Sequence, residues 1–221
     1  MIKLANVTKK YTIGNTEKVI CDNVTAEFPA GVSLGILGRN GAGKSTLLRM
    51  IAGTIAPTSG RIIRRRKISW PLGFAGSFHG ALTGAQNVRF VARVYGQDSD
   101  DLLAYVEDFA ELGKALYMPV RTYSSGMKAR LAFGISMGVH FDVYLVDEIT
   151  AVGDANFQKK CLQVFREKLS DSDVYMVSHS NHTIKSYCKA GAVLEQGKMV
   201  VYDSVDEAIE RHEANMAARS A

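Results

Sequence analysis

Gly38-Arg39-Asn40-Gly41-Ala42-Gly43-Lys44-Ser45 has the spacing G-x-x-x-x-G-K-[ST], and that spacing suits phosphate binding. The glycines let backbone N–H groups converge on a β-phosphate with no Cβ in the way. Lys44 supplies a point charge for β- and γ-phosphates, the Ser45 hydroxyl can hold Mg2+, and Thr46 completes the stretch expected to touch the nucleotide. A second group with chemistry is the pair Asp147-Glu148, which ends the apolar run Phe141-Asp142-Val143-Tyr144-Leu145-Val146. Acids at the carboxyl end of a buried strand stand where open α/β sheets bind ligands. Asp147 is expected to reach Mg2+ through water, and Glu148 to polarise an attacking water as general base. His179 follows another apolar run, Met176-Val177-Ser178.

These groups need elements to position them. Val32–Leu37 reads as a short buried strand and Thr46–Ala52 as a helix, the strand–turn–helix geometry that points N–H groups at an anion. Residues 1–31 read as short strands with a turn at Ile13-Gly14-Asn15-Thr16. Pro57-Thr58-Ser59-Gly60 breaks the chain, Arg61–Trp70 reads as one strand, and residues 72–84 as loop. Helical spacing runs from Ala85 to about Leu116, with a break near Gly96–Ser99, and again from about Ser125 to Met137. Ser124 or Ser125 suits the N-cap of that second helix. Buried strands are expected at 141–146 and 173–177, a helix at 157–169, and a hairpin at 192–202 turning at Gln196-Gly197. Ser204 with Glu207 fits a capping box opening a last helix. The order predicts an α/β fold with a mostly parallel sheet.

Bulk properties limit the alternatives. At 221 residues the chain is one large domain or a core with an inserted subdomain. Its apolar runs are too short to span a bilayer and its start lacks the pattern of a signal peptide, which points to the cytoplasm. Cys21, Cys161 and Cys188 are odd in number and widely spaced, so they read as buried apolar residues. Net charge is +5, and the densest basic run is Arg64-Arg65-Arg66-Lys67. That run suits either a solvated strand edge or a patch facing anionic lipid or nucleic acid.

Thr122-Tyr123-Ser124-Ser125-Gly126-Met127-Lys128, about twenty residues before the paired acids, makes the pattern specific. It resembles the signature motif of ABC-transporter nucleotide-binding domains, usually Leu-Ser-Gly-Gly-Gln, with Ser124 and Gly126 matching. The resemblance implies a P-loop NTPase with a RecA-like core, an N-terminal antiparallel β subdomain, and a helical subdomain inserted at about 85–137 in a single domain of 1–221. It implies that Tyr11 stacks on adenine, that Ser124, Ser125 and Gly126 meet the ATP of a second subunit, and that His179 contacts the γ-phosphate. Gly153 and Asp154, in Ala151-Val152-Gly153-Asp154, fall where the family has its D-loop, which crosses the dimer interface. ATP and Mg2+ are the implied ligands.

The family normally places a Gln in the loop after the P-loop unit, and Pro71–Gly80 contains none. Gln86 comes too late, which leaves a backbone carbonyl or a water for that contact. Gly73-Phe74-Ala75-Gly76-Ser77-Phe78 with Leu82-Thr83-Gly84 resembles instead the loop of cassettes that export polysaccharide, capsular polysaccharide above all. The implied partners are a second copy of the chain and an integral-membrane permease of the ABC-2 type, with no nucleic acid. The implied location is the cytoplasmic face of the bacterial inner membrane, held peripherally. Export of another lipid-linked glycan, O-antigen or teichoic acid, is the neighbouring reading. A soluble ATPase acting on ribosomes or DNA is the more distant one.

Overall fold

Short apolar runs free of helical period set the frame. The computed structural model describes residues 1–14, 16–72, 78–148 and 154–218. In chain order the elements are β1 (Ile2–Ile13), β2 (Thr16–Phe28), β3 (Leu34–Leu37), α1 (Lys44–Ala52), β4 (Ser59–Arg64), β5 (Ile68–Pro71), α2 (Gly84–Val94) and α3 (Ser99–Ala110). Two 3-10 turns (Gly113–Tyr117 and Val120–Thr122) lead to α4 (Ser125–Gly138), β6 (Val143–Asp147), α5 (Ala155–Lys168), β7 (Asp173–Val177), α6 (Asn181–Tyr187), β8 (Ala190–Glu195), β9 (Lys198–Tyr202) and α7 (Val205–Ala217). The chain divides into two compact units, residues 1–71, 141–149 and 172–221 in one, residues 72–140 and 150–171 in the other.

The first unit carries both sheets. Its six-stranded sheet has the order β5-β6-β7-β3-β8-β9, parallel except for the β8–β9 hairpin. Strands β3 and β7 are buried throughout, as central parallel strands covered on both faces must be. The second sheet is antiparallel, β2-β1-β4. Residues 1–28 thus form two strands of 12 and 13 residues rather than several short ones. The core of this unit joins Leu4, Phe28, Ile36, Leu47, Ile51, Leu145 and Tyr175, all at most 1% exposed.

The single strand expected over 61–70 is a correction. Residues 59–64 pair with β1 in one sheet, and residues 68–71 pair with β6 in the other. Arg64 at the end of β4 and Arg66 just past it explain the break. Arg64 Nε donates to Ile51 O at 2.7 Å and its Nη2 to Met50 O, which ties the guanidinium to carbonyls in the last turn of α1. Arg66 turns inward, pairing through Nη1 with the Asp173 carboxylate and donating through Nη2 to Asp142 O at 2.9 Å. Asp173 also accepts from Gly31 N at 2.9 Å. Two residues of the basic run are therefore engaged within the fold, Arg64 at the end of α1 and Arg66 at the ends of β6 and β7. Replacing Arg66 by Ala leaves the buried Asp173 carboxylate without its ion partner. Stability is expected to fall by about 3 kcal/mol, read as a shift of the urea midpoint; an unchanged midpoint contradicts this role.

In the second unit each helix has its own start signal. Thr83 and Gln86 form a reciprocal capping box at α2. Asp98 caps α3, Ser124 caps α4 through Met127 N at 3.2 Å, and Asp154 caps α5. Phe109 stacks on Phe133 at 5.9 Å and meets Phe157 edge-on at 5.5 Å, which ties α3, α4 and α5 together. The capping box expected at Ser204 is also corrected: the Ser204 hydroxyl accepts from Asp206 N, two positions on. Burial pushes the Cys21 and Cys161 thiols up to about 11 and Cys188 to about 12, so all three behave as small apolar side chains. Among the described residues, no helix is long and apolar enough to cross a membrane.

Candidate functional site

A cleft of about 590 Å³ opens in the first unit, lined by Tyr11, Lys18, Ile20, Asn40, Gly41, Gly43, Lys44, Ser45, Thr46, Asp147, Glu148, Val177 and His179. Strand β3 feeds the turn, and α1 leaves it with its N-terminus toward the cleft. The turn can be this tight only with glycine at two points. Gly43, the N-cap of α1, has φ +104°, and a Cβ there would run into Ile20 Cγ2. At Gly38 (φ +152°) a Cβ would press on the Leu194 carbonyl oxygen. No side chain caps α1, so its first N–H groups are donors open to an anion.

Lys44 lies at the floor, 8% exposed. Its Nζ donates to Gly38 O at 2.5 Å and to Arg39 O at 3.0 Å, so the turn holds its own lysine in place. Burial lowers the lysine's pKa, and the carboxylates of Asp147 and Glu148 oppose that shift. Ser45 Oγ donates to Asp147 Oδ1 at 3.0 Å, bringing the turn and the end of β6 together. A hydroxyl beside a carboxylate is a hard-oxygen pair that suits Mg2+, which takes few protein ligands when phosphates supply others.

Glu148 stands just past β6 with φ +60°, a conformation that strains a non-glycine residue. Its N–H donates to Val177 O at 2.9 Å, which pins it between the ends of β6 and β7. The Glu148 Oε1–His179 Nε2 distance is 2.9 Å, with both side chains about half exposed. A carboxylate oriented by a second group at a cleft mouth is the arrangement of a general base.

The structure thus brings together in one cleft Tyr11, Asn40, Gly41, Gly43, Lys44, Ser45, Thr46, Asp147, Glu148 and His179. Gly38 and Arg39 act from behind it through their carbonyls, and Ala42 N donates to Arg39 O within the turn. Tyr11 also packs on the core, with Lys9 Nζ 4.7 Å from its ring centroid. Ser124, Ser125 and Gly126 open α4 in the second unit. A Cβ on Gly126 would meet nothing nearer than Ser124 Oγ at 3.9 Å, so crowding within the chain does not require glycine there.

Asp154 is committed within the chain. Its Oδ1 accepts from Asn156 N and Phe157 N at 3.0 Å, and its Oδ2 pairs with Arg130 Nη2 at 2.8 Å. Gly153 and the loop residues 73–77, Phe74 among them, lie outside the described residues. The Gln86 side chain closes the cap of α2 and is not among the cleft residues. Sequence reasoning missed Lys18, Ile20 and Val177; a register against Tyr11 would have exposed the first.

Residues 21–151 match the sequence model of the family described as "ABC transporter". The chain belongs to the ABC transporter family. It is 47% identical over 215 residues to the polysialic acid transport ATP-binding protein KpsT of Escherichia coli, covering 96% of each chain. It is 48% identical over 210 residues to the capsule polysaccharide export ATP-binding protein CtrD of Neisseria meningitidis serogroup B, covering 95% of this chain and 97% of the other. The teichoic acids export ATP-binding protein TagH of Staphylococcus haemolyticus is 33% identical over 232 residues, covering 96% and 88%. Among solved structures, the fold matches the dimeric post-hydrolysis state of the ATP-binding cassette MJ0796 with TM-score 0.74 at 21% identity, over 93% of this chain and 99% of that one. ATP binding thus comes with the family, and the cleft gathers residues whose chemistry suits it.

Proposed function

We propose that the chain is the ATP-hydrolysing subunit of an exporter of capsular polysaccharide, working with a separate membrane permease of the ABC-2 type. The observation that carries the glycan class is near full-length identity of 47–48% to polysialic acid and capsule cassettes, against 33% to a teichoic acid cassette. Two copies bind ATP head to tail, each nucleotide lying between one P-loop and the Ser124–Gly126 turn of the other copy. The open surface at Gly126 and the N-terminus of α4 support that contact. Attachment to the cytoplasmic face of the inner membrane is peripheral, through the permease.

In each site the α1 N–H groups and Lys44 bind the β- and γ-phosphates, and Tyr11 stacks on the adenine. Ser45 and Asp147 would hold Mg2+, whose charge offsets that of the phosphates. The Glu148 carboxylate takes a proton from water as the water oxygen bonds to the γ-phosphorus. The bond from that phosphorus to the β–γ bridging oxygen breaks, leaving ADP and phosphate. His179 orients Glu148 and reads the γ-phosphate. Loss of the γ-phosphate removes the contact between subunits, and the dimer opens.

Residues 78–83 and the helical unit form the face turned to the permease. Asn87, 3% exposed, fixes that loop: its Oδ1 accepts from His79 N at 3.0 Å, and its Nδ2 donates to His79 O and Thr83 O. Phe78→Ala is expected to spare hydrolysis by the isolated subunit and to lower export several-fold. Undiminished export would remove the loop from coupling. The proposal itself is tested by deleting the gene in its own bacterium. Capsular polysaccharide should then accumulate inside the cell, and surface display should return with the wild-type chain but not with Lys44→Ala. Normal surface polysaccharide in the deletion strain would overturn it.

A further inference from the structure

We propose that Lys18 is a further nucleotide-binding residue, supplying a second ammonium to the phosphate chain on the Tyr11 side of the cleft. Tyr11 and Lys18 are direct partners across the antiparallel β1–β2 pair, so they share one face of that sheet. Ile20, two residues on, falls at an irregularity in that pairing and also reaches the cleft. All three line the cleft.

Strand β2 runs along the phosphate turn in step with it. Ile20 covers Gly43, and Lys18 Nζ lies 3.9 Å from the position a Cβ on Gly41 would take. Lys18 thus stands beside both Tyr11 and Gly41, while Ser45 meets Asp147 and Glu148 meets His179. With adenine on Tyr11 and the γ-phosphate near Glu148, Lys18 stands at the phosphates nearest the ribose, which ADP and ATP share.

Nearby cations have other work. Lys9 donates to Ala56 O at 3.0 Å, Lys10 pairs with Glu17 at 3.1 Å, and Lys198 pairs with Asp22 at 2.8 Å. Among the described residues no hydrogen bond or ion pair engages the exposed Lys18 ammonium. A flexible, strongly hydrated point charge at a cleft wall is suited to a mobile anion rather than to holding the fold.

Lys18's role rests on the ATP-binding reading above, and one titration series separates the two. ADP and ATP affinities are measured by calorimetry on the full chain, for wild type, Lys18→Met, Lys18→Arg and Lys44→Ala, at two salt concentrations. Lys18→Met should bind both nucleotides roughly tenfold more weakly, the size of one charge-assisted hydrogen bond. It should also show a shallower loss of affinity with salt, while Lys18→Arg stays near wild type. If Lys44→Ala loses binding while Lys18→Met matches wild type, the Lys18 inference fails and the ATP site stands. An equal loss in Lys18→Arg and Lys18→Met, with the salt dependence unchanged, also overturns it. A wild-type chain that binds neither nucleotide would overturn the ATP reading itself.

Discussion

Glu148→Gln should lower ATP hydrolysis by about 10³-fold, within the range for losing a general base, while ATP still binds. Glutamine keeps the shape of the side chain but accepts no proton from the attacking water. The site should tolerate it sterically, because the carboxylate is about half exposed and its backbone is fixed independently through Glu148 N to Val177 O. With ATP bound and the γ-phosphate retained, the subunit should remain a dimer. Phosphate release gives the rate, and size-exclusion chromatography with and without ATP gives the assembly. Hydrolysis at the parent rate would show that Glu148 is not the base.

Lys44→Ala should weaken ATP and ADP binding by roughly 100-fold, since charge-assisted hydrogen bonds in a buried position are among the strong ones. Lys44 is positioned before any nucleotide arrives, by the Gly38 and Arg39 carbonyls. That preorganisation removes ordering from the binding step. Removing the ammonium also leaves the carboxylates of Asp147 and Glu148 without the nearby positive charge that they support. Calorimetry measures the loss, and circular dichroism should show an unchanged fold. Wild-type affinity in Lys44→Ala would move the phosphate site elsewhere.

The core of the site was legible because it depends on local patterns. Gly38–Ser45 dictates a turn, and the apolar runs at 143–147 and 173–177 can be satisfied only as buried strands, so Asp147, Glu148 and His179 had to emerge at strand ends. What escaped depends on partners distant in sequence. The break between β4 and β5 follows from Arg64 meeting α1 and Arg66 meeting Asp173, neither of which shows in a run of basic residues. The pattern for a capping box occurs at both Thr83–Gln86 and Ser204–Glu207. It closes reciprocally at the first, while the second hydroxyl reaches Asp206 N instead. Lys18 gave no signal until β1 and β2 were in register. Nor did Asp154 announce its bond to Arg130, 24 residues away.

The most direct test of the exporter reading is to purify the chain from the membranes of its own bacterium in mild detergent and identify what accompanies it. The account predicts a polytopic membrane protein in constant ratio, whose presence raises ATP hydrolysis and whose loss leaves capsular polysaccharide inside the cell. Recovery only in the soluble fraction, with ribosomal proteins or nucleic acid and no membrane partner, would contradict it.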